Sequence, residues 1–413
     1  MQARAQDKLW GVGLHLGGIK SDYETAHDAL RGLGANTFRD DLYWKHVEQT
    51  RDEFTLPRNL SDLQKLIVLG GENGLRGVVV LDYGNPLYFQ GLPKTDADRD
   101  AYARYAAWVA RSYGKSVAAF EVWNEWNIGG GSKPRETGEA ISAGEYVKLL
   151  KRVRPVLKAE APGVPVIAGG LANRKMDWVK SFADHGGFSH CDGFSVHPYN
   201  HHDRDASAED VAHWLDELNS VIKAKTKKSV PIWVTEIGWP THDGVGASTE
   251  AQSAQRLLKL NLLLAARSYI RGVWWYDLFD DGDNPREMED NFGLIRIRGD
   301  KKPSYAALQL FLQRFKQAQF VKDVSKHDAI ALQFKGSKGE RLFAVWAREG
   351  HAGERIEVSG GFTLIPVEGS DHERVQRELK AGSATLGAWP VLLQLPPNAK
   401  LELTTKSGGG CLP

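Results

Sequence analysis

Eight short apolar runs recur up to about residue 315, each followed by a longer amphipathic stretch, and this alternation restricts the fold more than any other feature of the chain. The runs are WGVGLHL from Trp10, NTFRDDLYW from Asn36, RGVVVLDYG from Arg76, AAFEVWNEWN from Ala118, VPVIAGGLA from Val164, GFSVHPY from Gly193, PIWVTEIGW from Pro231 and GVWWYDLF from Gly272. Helical spacing is clearest in AYARYAAWVARSYG, EYVKLLKRVRPVLK and AQSAQRLLKLNLLLAARSY. Parallel strands need a long crossover to return to the same edge, so strand and helix periods in alternation predict an α/β protein with a parallel sheet. Eight units over roughly 300 residues predict a (β/α)8 TIM barrel, here spanning 8–315. A doubly wound dinucleotide-binding sheet also alternates, but GVGLHLGG after the first run lacks the GxGxxG spacing.

From about Phe320 the pattern changes to short alternating stretches, AIALQFKG, RLFAVWAR, GERIEVSG, PVLLQL and KLELTT, separated by Gly, Lys and Asp. These predict a small antiparallel, sandwich-like β-domain over 320–404, followed by a flexible tail at 405–413. Lys and Arg number 53 against 52 Asp and Glu, a net charge of +1. That balance leaves no electrostatic footprint for nucleic acid or an anionic membrane and suits a neutral polymer or a small polar ligand. Two cysteines, Cys191 and Cys411, exclude a disulfide framework. The start MQARAQDKLWGVG has no apolar core of a signal peptide, and no run reaches the roughly 18 residues needed to span a bilayer. The chain as given reads as soluble, with Met1 an added start on an exported protein whose signal has been removed.

Arg39, Asp82, Asn124, Glu125, His197, Tyr199, Glu236 and Asp277 all fall at or just after the C-terminal ends of the predicted strands. In a barrel of this kind that face carries the chemistry. Glu125 in EVWNEWN and Glu236 in IWVTEIGWP end two apolar runs among aromatics. One such glutamate is ordinarily solvated, or half of an ion pair with a group such as Arg39; two in matching settings point to a shared purpose. Cleavage of a glycosidic bond passes through an oxocarbenium-like transition state, which calls for one carboxylic acid to protonate the leaving oxygen and one carboxylate to attack or to activate water. An apolar surround is expected to raise the pKa of the acid while hydrogen-bond donors keep the other group ionised. Trp123, Trp126, Trp239, Trp274, Trp275 and Tyr276 crowd the same strand ends and are candidates for stacking on sugar rings. Strand alternation forbids Trp274 and Trp275 from both facing the axis. His197, His201 and His202 lack the spacing of a catalytic zinc site, and DLFDDGDN from Asp277 to Asn284 lacks the closing glutamate of a calcium loop and reads as a surface turn; no metal or other cofactor is expected.

WNE followed by TEIGW, on the fourth and seventh strands of the predicted barrel, resembles the signature of clan A glycoside hydrolases. Within the clan, a barrel followed by a β-domain and the segments NFGLI and KPSYAAL most resemble family 39. The resemblance implies a polysaccharide or oligosaccharide substrate and a retaining mechanism with Glu125 as acid/base and Glu236 as nucleophile. It further implies that Asn124 holds the sugar 2-hydroxyl, that His197 and Tyr199 form the HxY pair with the tyrosine orienting the nucleophile, and that Arg39 lies on strand two. Trp275 is the expected strand-eight aromatic, in competition with Trp274 and Tyr276, and Trp239 is a further expected sugar contact. A periplasmic or secreted location and internal cleavage of a neutral bacterial exopolysaccharide are the corresponding expectations. The alternatives are a β-xylosidase-like exo-enzyme, a transglycosylase, and a non-catalytic carbohydrate-binding or matrix protein. The loop IGGGSKPRETGEA after the fourth strand is long and Gly-rich, fit to move.

Overall fold

The computed structural model describes residues 8–18, 21–203, 206–326, 328–348, 355–359, 361–367, 377–379 and 382–404. Eight strands form a closed parallel barrel: β1 (Leu9–Gly13), β2 (Thr37–Tyr43), β3 (Arg76–Asp82), β4 (Val117–Val122), β5 (Val166–Ala172), β6 (Gly193–His197), β7 (Ile232–Ile237) and β8 (Ile270–Trp275), with β8 pairing back onto β1. Every apolar run picked out in the sequence supplies one strand. The helices that follow them in turn are α1 (Tyr23–Leu33), α2 (Ser61–Glu72), α3 (Asp96–Tyr113), α4 (Ala143–Glu160), α5 (Met176–Asp184), α6 (Ala208–Thr226), α7 (Glu250–Ala265) and α8 (Pro303–Arg314). Local chemistry sets their starts. Thr95 and Asp98 close a capping box on α3, Thr249 and Gln252 another on α7, and α8 opens on a proline.

Each barrel strand is buried on both faces, and the two faces do different work. On β2, Phe38 and Leu42 join the core beneath the helices, while Arg39, Asp41 and Tyr43 reach the cavity at the barrel mouth. Deeper along the axis, Val78, Ala119, Ile167, Trp233 and Trp274 form a separate apolar cluster. The Trp233 and Trp274 rings stack there at 5.7 Å and 9°. Gly193 makes room for them, because a Cβ at that position would lie 2.3 Å from Trp233 Nε1. Burying one such indole is worth about 4–6 kcal/mol as an upper bound. Trp275 points the other way into the main core beside Trp239, ring centroids 5.9 Å apart. The alternation expected of neighbouring strand residues therefore holds, and it returns Tyr276 to the axis side.

Beyond α8 the chain forms two antiparallel sheets. The larger contains Gln319–Asp323, Ala329–Lys335, Arg341–Ala347, Val391–Leu395, Phe362–Ile365 and Arg377–Leu379, in that spatial order. Gly382–Thr385, Arg355–Ser359 and Lys400–Thr404 make the smaller. Period-two alternation splits the larger sheet between two cores: Ile330, Leu332, Phe334 and Trp346 join that of the barrel, whereas Ala329, Ala331, Phe343 and Val345 pack with Ile356, Val358 and Leu403. Phe334 meets Phe315 edge-on at 5.4 Å, and Trp346 Nε1 donates to Glu209 Oε1 at 2.7 Å. The five strands expected here are present; Gln319–Asp323, Phe362–Ile365, Arg377–Leu379 and Gly382–Thr385 are additional, being short or polar. The expected tail, with Cys411, lies outside the described residues. Cys191 is buried with a free thiol that burial pushes up to about 12. Among the described residues no helix is long and apolar enough to cross a membrane.

Candidate active site

A cavity of about 630 Å³ opens at the C-terminal ends of the barrel strands, lined by Arg39, Asn124, Glu125, Tyr199 and Glu236 among others. His197 is completely buried beneath it. Glu125 stands just past β4 in a left-handed backbone conformation (φ 52°, ψ 41°), and Trp123 two residues earlier has φ 65°. Such torsions are unfavourable for residues with a Cβ and persist only where the surroundings enforce them. Gly170 on β5 is one part of that enforcement, since its own φ is +47° and a Cβ there would lie 3.2 Å from the Glu125 backbone nitrogen.

Arg39 ties the site together. Its Nε donates to Glu121 Oε2 at 2.7 Å, one terminal nitrogen to Glu236 Oε1 at 2.8 Å and the other to Asn124 Oδ1 at 2.9 Å. Burial alone would lower its pKa, but the charges of Glu121 and Glu236 outweigh burial and raise it further. Tyr199 donates its hydroxyl to Glu236 Oε2 at 3.0 Å, so each Glu236 oxygen has a fixed donor. Burial and the Glu236 charge push the Tyr199 phenol well above its ordinary value and keep it a donor. Asn124 passes an amide N–H to the Tyr83 hydroxyl at 2.9 Å, which fixes the orientation of its side chain. The ion pair considered for a lone glutamate is thus real for Glu236, within a network rather than as an isolated bridge.

Glu125 has different partners. His197 Nδ1 lies 3.1 Å from Glu125 Oε1 and 3.5 Å from Glu236 Oε2, and single oxygens of the two glutamates come within 4.8 Å of one another. Burial pushes Glu125 up, as expected, but the His197 hydrogen bond and charge, with Arg39 and Arg135, outweigh it and hold the carboxyl below its ordinary value. The expected upward shift is therefore not found. For His197 the balance runs the other way: burial lowers its pKa, and Glu236 and Glu125 raise it past the ordinary imidazole value.

The tryptophans stay out of the cavity. Trp239 and Trp275, expected as sugar contacts, are 0% and 3% exposed and pack in the main core, Trp239 donating to Asn200 Oδ1 at 2.9 Å. Trp123, Trp126 and Trp274 are likewise fully buried. The aromatic walls are Tyr43, Tyr83, Tyr199, Tyr276 and Phe292. The expectation failed because it counted position along the strand and not the face. Period two, applied to Trp274 and continued by one step, selects Tyr276.

Several site residues escaped the sequence reading. Glu121 is entirely buried, with Thr235 donating to its Oε1 at 2.9 Å; burial would raise it, and Arg39 and His197 hold it below the ordinary range. Its signal was a charge amid an apolar strand, two residues inward of Trp123. Asp41, one inward position above Arg39, reaches the cavity, as do Arg135 and Ile128 from the Gly-rich loop. The acidic segment from Asp277 is also more than a surface turn. Asp277 pairs with His15 at 3.2 Å, and Asp280 with buried Lys302 at 2.7 Å. His15 would be lowered by burial but is raised to about 9 by its bond to Asp277.

Comparison with known proteins follows the same lines. Residues 3–276 match the family model described as Cellulase (glycosyl hydrolase family 5). No curated protein matches the sequence. A family 39 glycoside hydrolase from the gut symbiont Bacteroides cellulosilyticus WH2 superposes with a TM-score of 0.73 at 23% identity, covering 94% of this chain and 80% of that one. A monomeric beta-xylosidase from Caulobacter crescentus CB15 gives 0.64 at 16%, with 96% and 98% covered. A GH5_18 protein from Streptomyces cattleya, solved with GlcNAc, gives 0.60 at 18%, with 76% and 81% covered. At these identities the structural likeness is one of fold. Together with the family match, it defines the class of protein: a clan A glycoside hydrolase, an enzyme that hydrolyses O-glycosyl bonds. The family match spans more than half of the chain, which belongs to glycosyl hydrolase family 5.

Proposed function

We propose that the enzyme is a retaining glycoside hydrolase in which Glu236 attacks the anomeric carbon while protonated Glu125 donates to the leaving oxygen. Glu125, now a carboxylate, then takes a proton from the water that releases the sugar. The observation that carries this reading is the close approach of the two carboxylates, within 4.8 Å by single oxygens, each with its own set of partners. Retaining enzymes hold the pair about 5–5.5 Å apart, whereas inverting enzymes leave about 6.5–9.5 Å for a water. Asn124, oriented by Arg39 and Tyr83, retains a second amide N–H for the sugar 2-hydroxyl.

For the substrate we infer a neutral exopolysaccharide of mannose, glucose and rhamnose, of the kind found in the biofilm polymer Psl, cleaved internally by an exported enzyme. The near-zero net charge supports a neutral polymer, and the family 39 architecture with its β-domain supports the likeness to the endoglycosidase of that polymer. A β-xylosidase reading draws on the Caulobacter crescentus neighbour, matched over 98% of its length. Digestion of the polymer alongside aryl β-xylosides, β-mannosides and β-glucosides separates them. Oligosaccharide release lost in both Glu125→Gln and Glu236→Gln supports the endo-hydrolase. Turnover confined to aryl xylosides supports the exo-enzyme, and binding without any turnover refutes catalysis. A 2-fluoro glycoside should label wild type and not Glu236→Gln; azide rescue of Glu236→Gln with retained configuration would reverse the two roles.

A further inference from the structure

Asp41 has no part in the chemistry above, yet it reaches the catalytic cavity from β2, the next inward position after Arg39. Tyr43 donates its hydroxyl to Asp41 Oδ2 at 3.2 Å, and the Asp41 backbone N–H is taken by Asp40 Oδ1 at 2.8 Å. Behind it, on β3, stands Asp82, in register with Tyr43 and 0% exposed. No donor among the described residues reaches either Asp82 oxygen. The polar group Asp82 faces is the Asp41 carboxyl, and two carboxyl groups bond to one another only when one of them is protonated. Burial, reinforced by the Asp41 charge, raises Asp82 well above the ordinary carboxylate range despite the opposing charge of Arg39. Burial and the neighbouring Asp41 thus favour the proton-bearing form of Asp82, which is the form able to donate to Asp41. A carboxylate has about four acceptor positions; Tyr43 and Asp82 occupy two, which leaves Asp41 with acceptor capacity turned to the cavity.

We propose that Asp41 is a sugar-recognition residue that accepts hydrogen bonds from ring hydroxyls beyond C2 of the bound glycon, the 3- and 4-hydroxyl edge, with Asp82 as its positioning residue. The proposal rests on the glycosidase reading, which puts C1 at the two glutamates and the 2-hydroxyl at Asn124. The next hydroxyls around the ring then run toward the Tyr83 and Asp41 side of the cavity. It also assigns a chemical class: the glycon is a neutral sugar with free hydroxyls on that edge, because the carboxylate of a uronic acid would meet a like charge.

The experiment is a substrate–variant cycle on the full chain, using the 4-nitrophenyl glycoside that wild type turns over best, its 3-deoxy and 4-deoxy counterparts, and the 4-nitrophenyl uronide of the same configuration. Wild type should lose roughly 10- to 100-fold in kcat/KM on at least one deoxy substrate, the usual scale for a hydrogen bond to a charged group. Asp41→Asn should lose a similar factor on the parent and little more on that deoxy substrate. The uronide should be the poorest wild-type substrate. Asp82→Asn, whose amide still donates, should keep most of the parent activity, whereas Asp82→Leu should resemble Asp41→Asn. Losses that simply multiply, or a preference for the uronide, overturn the role of Asp41 while leaving hydrolysis intact. Failure of wild type to turn over any glycoside or to be labelled by the 2-fluoro sugar would instead overturn the glycosidase reading beneath it.

Discussion

His197 Nδ1 lies 3.1 Å from Glu125 Oε1, and the other ring nitrogen decides what that contact means. Thr235 donates its single hydroxyl proton to Glu121 at 2.9 Å, so toward His197 Nε2, 3.2 Å away, it acts as acceptor and fixes a proton on Nε2. A proton between Nδ1 and Glu125 is therefore shared: it makes either an imidazolium facing a carboxylate or a neutral imidazole facing a carboxylic acid. The opposite shifts of the two groups, His197 up and Glu125 down, favour the first form before substrate binds. The pair titrates as a unit.

The sign of the pH effect follows. Glu125 needs the shared proton to act as an acid, and in wild type the pair keeps it up to a pH set by a raised histidine. In His197→Gln the carboxyl holds its proton alone. Its own pKa rises with loss of the imidazolium, but it remains a carboxyl, so the alkaline limb of kcat/KM should move to lower pH. A limb that stays in place or moves upward would refute the shared proton; pH profiles on one aryl glycoside decide.

Glu121 should matter more for stability than any catalytic residue. It is the buried anchor of Arg39, whose side chain is itself only 6% exposed. Glu121→Ala removes one of the two carboxylates that pair that buried charge and leaves the Arg39 Nε–H without its acceptor, and should destabilise the protein by about 3–5 kcal/mol in urea unfolding. A loss below about 1 kcal/mol would mean that Glu236 and Asn124 suffice to hold the guanidinium.

The barrel was legible because most strands carry a short apolar run, broken by charge in β2 and near the ends of β3, β4 and β7, and the crossovers carry a helical period, both local properties. Glu125, Glu236, His197, Tyr199 and Asn124 were legible because they lie at or just past strand ends; Arg39 was expected at a strand end too, but it is the third residue of β2 and reaches the others by the length of its side chain, and the structure brings all six into one network. What the sequence concealed was direction. Trp275 and Tyr276 are neighbours, yet one packs in the core and the other lines the cavity. Glu121 is the penultimate residue of its strand and Asp82 the last of its own, with nothing local to show that their partners, Arg39 and Asp41, come from β2. Proton sharing depends on such long-range pairs, which explains why the downward shift of Glu125 was missed.

The exchange of roles between Trp275 and Tyr276 can be measured. Tyr276→Ala should reduce kcat/KM roughly 10- to 100-fold by removing an aromatic wall, with a minor change in thermal midpoint. Trp275→Ala should cost about 3–5 kcal/mol of stability and leave KM nearly unchanged at a temperature where the variant is folded. The reverse pattern would return Trp275 to the sugar.

Gly170 offers a test of whether the strained turn at Glu125 serves the chemistry. Its φ of +47° disfavours any side chain, and an added Cβ would sit 3.2 Å from Glu125 N and 3.5 Å from Asn124 Cα. Gly170→Ala should therefore destabilise by about 1–3 kcal/mol and displace the acid/base by a few tenths of an ångström. Because proton donation depends on reach and angle, kcat should fall about tenfold or more on a substrate whose leaving group needs protonation. A dinitrophenyl glycoside, whose leaving group departs unaided, should be affected far less in the glycosylation step. Equal losses on both substrates would show that the glycine matters only for folding and that the position of Glu125 is set elsewhere.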